Sequence, residues 1–145
     1  MKSRYLLAAL FALMPLSAVA ADYTINFGEV RGKPEVVTPM QTIKMCIDTS
    51  GYFFGYDLIP SLGGSYTLKT VFHLPATPKT IAKDVKSENY GHDLTVDSGT
   101  QNGRYLQSFF FDEGDPLGAW SLDVVINDAV VKNIPFNVVA ASSCP

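Results

Sequence analysis

The sequence predicts an all-β protein: an antiparallel immunoglobulin-like β-sandwich of about seven to eight strands, placed after an N-terminal signal peptide. Three observations predict it. Apolar and polar residues alternate over short runs, the period of a strand with one face buried. Gly, Pro, Asn and Asp punctuate those runs at regular intervals. No segment keeps a helical period over about ten residues.

The first element is a targeting segment, expected over residues 1–20. Lys2 and Arg4 make a positive start, "YLLAALFALMPL" is apolar but too short to span a bilayer comfortably, and Ala18-Val19-Ala20 fits a small-residue cleavage site. Cleavage is expected before Ala21. No second apolar run is long enough to cross a membrane, so stable membrane insertion is not expected and a periplasmic or secreted chain is. Residues 21–145 then suit a single domain with one core. The chain carries 11 Lys and Arg against 14 Asp and Glu. Losing Lys2 and Arg4 makes it more acidic still, which speaks against the clustered basic footprint that nucleic acid requires.

The mature strands follow in order. In "YTINF", Tyr23, Ile25 and Phe27 share a face. "RGKPEVVTP", with two prolines, reads as a connection. In "TIKMCID", Ile43, Met45 and Ile47 alternate with Thr42, Lys44, Cys46 and Asp48. That parity puts Cys46 on the polar side of its strand. Cys46 and Cys144 are the two cysteines of the chain. In an exported protein they read as a disulfide, placed on this parity at the outer surface or an edge. It would close a loop of about a hundred residues, worth about 4–5 kcal/mol at the upper end of the chain-entropy account.

"GYFFGYDLIP" is rich in aromatics. Read as a strand from Phe54, it places Phe54, Tyr56 and Leu58 on one face. Gly55 then lies inside the strand, where a missing side chain marks a bulge or the close approach of another backbone. Tyr52 and Phe53 fall in the turn leading in, and are the candidate partner-binding residues. "SYTLKTVFHLP" sets Tyr66, Leu68, Thr70 and Phe72 against Thr67, Lys69, Val71 and His73. Residues 79–98 are least regular: a strand or helical turn near Ile81–Val85, a loop, then a short strand at "DLTV". "GTQNGR" reads as a turn, "YLQSFFF" as a strand and "DEGDPLG" as an acidic loop. Finally "AWSLDVVIND" and "VVKNIPFNVV" alternate on either side of Asn-Asp, a β-hairpin.

Three segments, "FFGYDL", "FHLPATP" and "FFFDEGDPLGAWSLDVVINDAVVKNIPFNVV", resemble the bacterial domain-of-unknown-function family 3859 in order and spacing. The resemblance rests on Phe54-Gly55-Tyr56, His73 with Pro75, Phe111-Asp112 and Gly118-Ala119-Trp120. It departs at Leu74, which separates His73 from Pro75, and in the cysteine pair. It implies an exported sandwich fold and brings no activity with it.

The residues that carry chemistry are sparse. No G-x-S-x-G elbow is present, and cysteines held in a disulfide supply no thiolate. Asp112, Glu113 and Asp115 in the acidic loop, with His92 and the nearby Asp93 and Asp97, are weak candidates for a metal ion. Their spacing is not that of an EF-hand, and two histidines do not make a zinc site. A solvated turn is the plainer reading of the loop. No phosphate-binding or dinucleotide-binding loop follows any strand. No cofactor and no catalytic residue are therefore expected. The expected function is a non-catalytic periplasmic binding or accessory module with an unknown protein or small ligand as partner. The alternatives are a small enzyme or metal-binding protein using loop carboxylates and histidines, and a structural subunit of an envelope assembly. The last would show an unpaired apolar edge strand.

Overall fold

A computed structural model describes residues 22–47 and 51–144. The expected signal segment and its cleavage site lie outside them. Among the described residues, ten strands form two sheets. The four-stranded sheet has the order β2 (Val36–Pro39), β1 (Tyr23–Arg31), β4 (Phe53–Pro60), β8 (Tyr105–Phe109). The six-stranded sheet has the order β3 (Thr42–Met45), β10 (Ala129–Ala140), β9 (Gly118–Ile126), β5 (Ser65–His73), β7 (Asp93–Asn102), β6 (Lys86–Glu88). Every pairing is antiparallel except β3 with β10, which run parallel.

The alternation seen in the sequence becomes the core. Phe54, Tyr56 and Leu58 of β4 are buried facing Leu68, Thr70 and Phe72 of β5, Leu122, Val124 and Ile126 of β9, and Ile134, Phe136 and Val138 of β10. Phe54 is the hub: its ring stacks on Phe111 at 4.5 Å and meets Phe27, Phe72, Phe109 and Phe136 at 5.7–6.5 Å. Such offset and edge-on pairs add to the burial of apolar area. One buried polar contact crosses between the sheets, Tyr56 Oη to Thr70 Oγ1 at 2.7 Å. Burial pushes the Tyr56 hydroxyl well above its ordinary value, so it stays protonated.

Gly55 is explained by close approach. Any Cβ there would overlap the Gln107 carbonyl oxygen of the neighbouring strand. The β9–β10 hairpin closes through Asn127 and Asp128, both at positive φ (49° and 62°), the backbone a type I′ turn requires. Asn127 exchanges hydrogen bonds with the Thr67 backbone, pinning the turn to β5.

Four expectations are corrected. The proline-rich "RGKPEVVTP" is not merely a connection: Val36–Pro39 pairs with β1 as an edge strand. An edge can accommodate proline because one side needs no donor. Residues 80–85 form neither strand nor helix, and the regular structure resumes at Lys86. "GTQN" is not a turn. β7 runs through it to Asn102, absorbing Gly99 at φ +69° in a bulge where the register with Leu68 and Lys69 shifts. Cys46, finally, is not on a polar face. β3 ends at Met45, the alternation stops with it, and Cys46 is buried within the core cluster.

Candidate functional site

β7 and β8 follow one another through Gly103 and Arg104 yet belong to different sheets. They diverge from that turn, and the seam between the sheets opens toward the start of β7 and the end of β8. The irregular segment 80–85 lies across the gap. What results is an open cleft of about 340 Å³, within the size range of small-ligand sites. Its floor is the aromatic core: Phe54, Phe72 and Trp120. Val96 of β7 and Phe109 of β8 form the walls, and Phe110, 63% exposed, stands at the rim. Trp120 satisfies its indole N–H by donating to the Pro116 carbonyl at 2.9 Å, which leaves the ring as an apolar surface.

The charged residues lining the cleft are Asp84, Asp112 and Asp115. In the loop after β8, the Asp115 N–H donates to the Asp112 carbonyl at 3.1 Å, and the Asp112 N–H donates back to Asp115 Oδ2 at 2.8 Å. This turn folds the Asp115 carboxyl inward. Burial raises its proton affinity above the ordinary carboxylate range, against the opposing hydrogen bond from Asp112.

Of the weak metal candidates, the fold brings Asp112 and Asp115 together. Glu113 is exposed at the loop tip. His92 stands apart, its Nδ1 bonded to the Leu74 carbonyl at 3.0 Å. Among the described residues no three His, Cys, Asp or Glu side chains converge as a metal site.

A second polar cluster lies on the outer face of the six-stranded sheet. His73 Nδ1 meets Asp93 Oδ1 at 2.8 Å and Nε2 meets Asp123 Oδ2 at 2.9 Å. Asn133 donates to Asp123 Oδ1 at 2.7 Å. The hydrogen bond to Asp123 leads in raising the proton affinity of His73, with Asp93 adding to it against partial burial. Burial opposes ionisation of Asp123, but the bonds from Asn133 and His73 outweigh it and hold that carboxyl below its ordinary range. With a carboxylate on each nitrogen, the ring has no free lone pair to take a proton from a nucleophile. The arrangement ties β5, β7 and β9 together as a cross-strand clamp.

The candidate partner residues Tyr52 and Phe53 differ in exposure. Tyr52 is buried, its hydroxyl accepting the Lys44 N–H at 3.3 Å with the Arg31 guanidinium over its ring. It is covered rather than presented, and Phe53 is half-buried at the start of β4. Among the described residues the exposed aromatics are Phe110 and Tyr90. Phe110 belongs to the apolar run "YLQSFFF", and alternation sets it opposite in parity to Phe109 and Phe111, which pack toward the core. The disulfide joins Cys46 to Cys144 with Cα atoms 5.7 Å apart, fastening the C-terminal tail to the end of edge strand β3.

Comparison with protein families gives a match to the PM0630 beta sandwich domain over residues 25–139. The chain belongs to this family. The match runs from β1 to the end of β10 and so takes in both sheets and the cleft. Among solved structures, the chain resembles an immunoglobulin-like protein from Pseudomonas aeruginosa at 16% identity and a TM-score of 0.57. The likeness covers 82% of this chain and 94% of that one, and shows the fold alone. An alkylpurine DNA glycosylase from Pseudomonas fluorescens, bound to DNA containing an abasic site analog, aligns at 10% identity and a TM-score of 0.36. It covers 79% of this chain and 30% of that one, too distant a likeness to carry an argument. No curated protein matches the sequence.

Proposed function

We propose that this domain is a non-catalytic binding module of the bacterial periplasm or cell exterior, taking a small ligand with an apolar body into the cleft between β7 and β8. The observation that carries the reading is the cleft itself: the sandwich seam is left open over the aromatic core instead of being closed by a further strand. Support for export comes from the disulfide, which belongs to oxidising compartments, and from the signal-like start of the sequence. Support for a non-catalytic role comes from His73, whose two nitrogens are both engaged by carboxylates. Kinship with family 3859 is part of this reading. The three resembling segments supply Phe54, Phe72, and, from the last of them, Phe109, Phe110, Asp112, Asp115 and Trp120 to the same cleft.

The test is titration with 2-phenylethanol, followed by NMR shift mapping and Trp120 fluorescence. Shifts confined to Val96, Phe109, Phe110 and Trp120, and lost in a cleft-filling Val96→Phe variant, are expected. Shifts centred on Tyr52 and Phe53 instead would move the site to the other end of β4. Hydrolytic turnover abolished by His73→Ala would overturn the non-catalytic assignment.

A second reading has its own observation. β8 is an edge strand pairing with β4 alone, and exposed Phe110 follows it. An added strand from a second chain would fit there. Concentration-dependent association, suppressed by Ser108→Pro, is its expected signature in sedimentation.

A further inference from the structure

The cleft has a charge pattern that its apolar floor does not require. The ionisable acids and bases among its lining residues other than tyrosine and cysteine are all carboxylates: Asp84 from the segment across the gap, and Asp112 and Asp115 from the loop after β8. They come from two separate parts of the chain and meet around one opening. The ion pairs of the described residues lie elsewhere. Lys79, from the segment between β5 and β6, is not among the lining residues. Its stem lies against Gly114, where a Cβ would come within 2.6 Å of it, and its N–H donates to the Gly114 carbonyl at 3.1 Å. Phe109, half-buried, and Phe110, exposed, are the rings the cleft leaves accessible, and together with carboxylates at the mouth they are features that attract an organic cation. Ring quadrupoles favour positive charge over their faces, and a partly desolvated carboxylate favours a counter-charge over water.

We propose that the cleft selects small amphipathic cations, an aromatic or aliphatic body carrying an ammonium group, and disfavours anions of the same shape. The body lies against Phe109 and Phe110, reaching the edges of Phe72 and Trp120, and the ammonium faces Asp112 and Asp115. This proposal rests on the cleft being a ligand site, as argued above, and adds the charge class. Partial burial of Asp115 is consistent with it: a carboxyl held in an apolar setting is relieved when a cation arrives.

Three probes of nearly equal shape separate the two claims: phenethylammonium, 2-phenylethanol and 3-phenylpropionate, each titrated into the oxidised full chain. Trp120 is the sole tryptophan, so its emission reports the cleft directly. Phenethylammonium is expected to bind about tenfold more tightly than the alcohol, and the carboxylate more weakly than either. Added salt should narrow the gap. The Asp112→Asn/Asp115→Asn double variant should bring cation and alcohol within about twofold of each other. Should that variant unfold, Asp84→Asn, on an exposed segment, is expected to weaken the cation selectively. Equal binding of all three probes to the unaltered protein would overturn the charge selectivity while leaving the cleft as a site. Binding of none of them would overturn both.

Discussion

The two lateral seams of this sandwich are built in opposite ways. On the β2–β3 side the chain is stitched. Cys46–Cys144 fastens the tail to β3, Tyr52 reaches the Lys44 backbone, and Arg31 covers the Tyr52 ring. On the β7–β8 side the strands part, and an irregular segment spans the opening above the aromatic core. Both seams draw on one core, because Phe54 and Phe136 link the aromatic floor of the cleft to β1 and β10. The contrast teaches a division of labour. Covalent and polar ties secure one flank, whose groove is lined by Glu29, Arg31 and Lys44, while the other flank carries the cleft over the aromatic core.

Perturbing each flank in turn measures that division. The largest effect is expected on the stitched side. Cys144→Ser, which releases a loop spanning 98 positions, should lower the free energy of unfolding by up to about 4–5 kcal/mol in denaturant titration. Thiol titration of the unreduced, unfolded protein should find none, and two titratable thiols would remove the bond from the account. Phe54→Ala strikes the shared hub and should cost about 3–5 kcal/mol, weakening both flanks together. A loss confined to ligand binding, with stability intact, would show the hub to be dispensable for the fold.

The clamp on the outer sheet gives a smaller, pH-dependent effect. His73 has its proton affinity raised on folding. Its contribution to stability is therefore complete below the ordinary histidine value near pH 6.5 and fades as pH rises through the higher folded value. The unfolding free energy of the unaltered protein should fall relative to His73→Gln across that window, and parallel curves would show the clamp to be energetically silent. The smallest stability effect belongs to the open flank. Phe110→Ala should change stability by no more than about 0.5 kcal/mol, yet reduce the affinity of phenyl probes measured at Trp120.

Most of the sheet architecture was legible in the residues. The parities of β1, β4, β5, β9 and β10 follow directly from alternation, and Asn127-Asp128 announces its turn by composition. What escaped detection did so for physical reasons. β2 hides among prolines because an edge strand with one unpaired side does not need every donor. β7 hides behind Gly99 because a bulge uses the same residue types as a turn. Cys46 was misplaced because alternation says nothing once pairing ends. The cleft was the least legible feature. Asp112 and Asp115 were visible as an acidic loop, but that they stand over Phe72 and Trp120 depends on where two sheets diverge, a long-range property that no local pattern encodes. Phe110 differs from Phe109 and Phe111 in parity, but its exposure depends also on the strand stopping at Phe109.

Pro135 has a consequence beyond its own strand. Asn137 turns its N–H toward the β3 side, donating to the Gln41 carbonyl at 2.8 Å. Pro135, two residues earlier and of the same parity, therefore has its missing donor on that side, just short of where β3 begins to pair with β10. The half of β10 without a β3 neighbour thus carries a built-in mismatch against any strand that would dock beside it. In a crowded compartment that mismatch acts as a brake on edge-to-edge polymerisation.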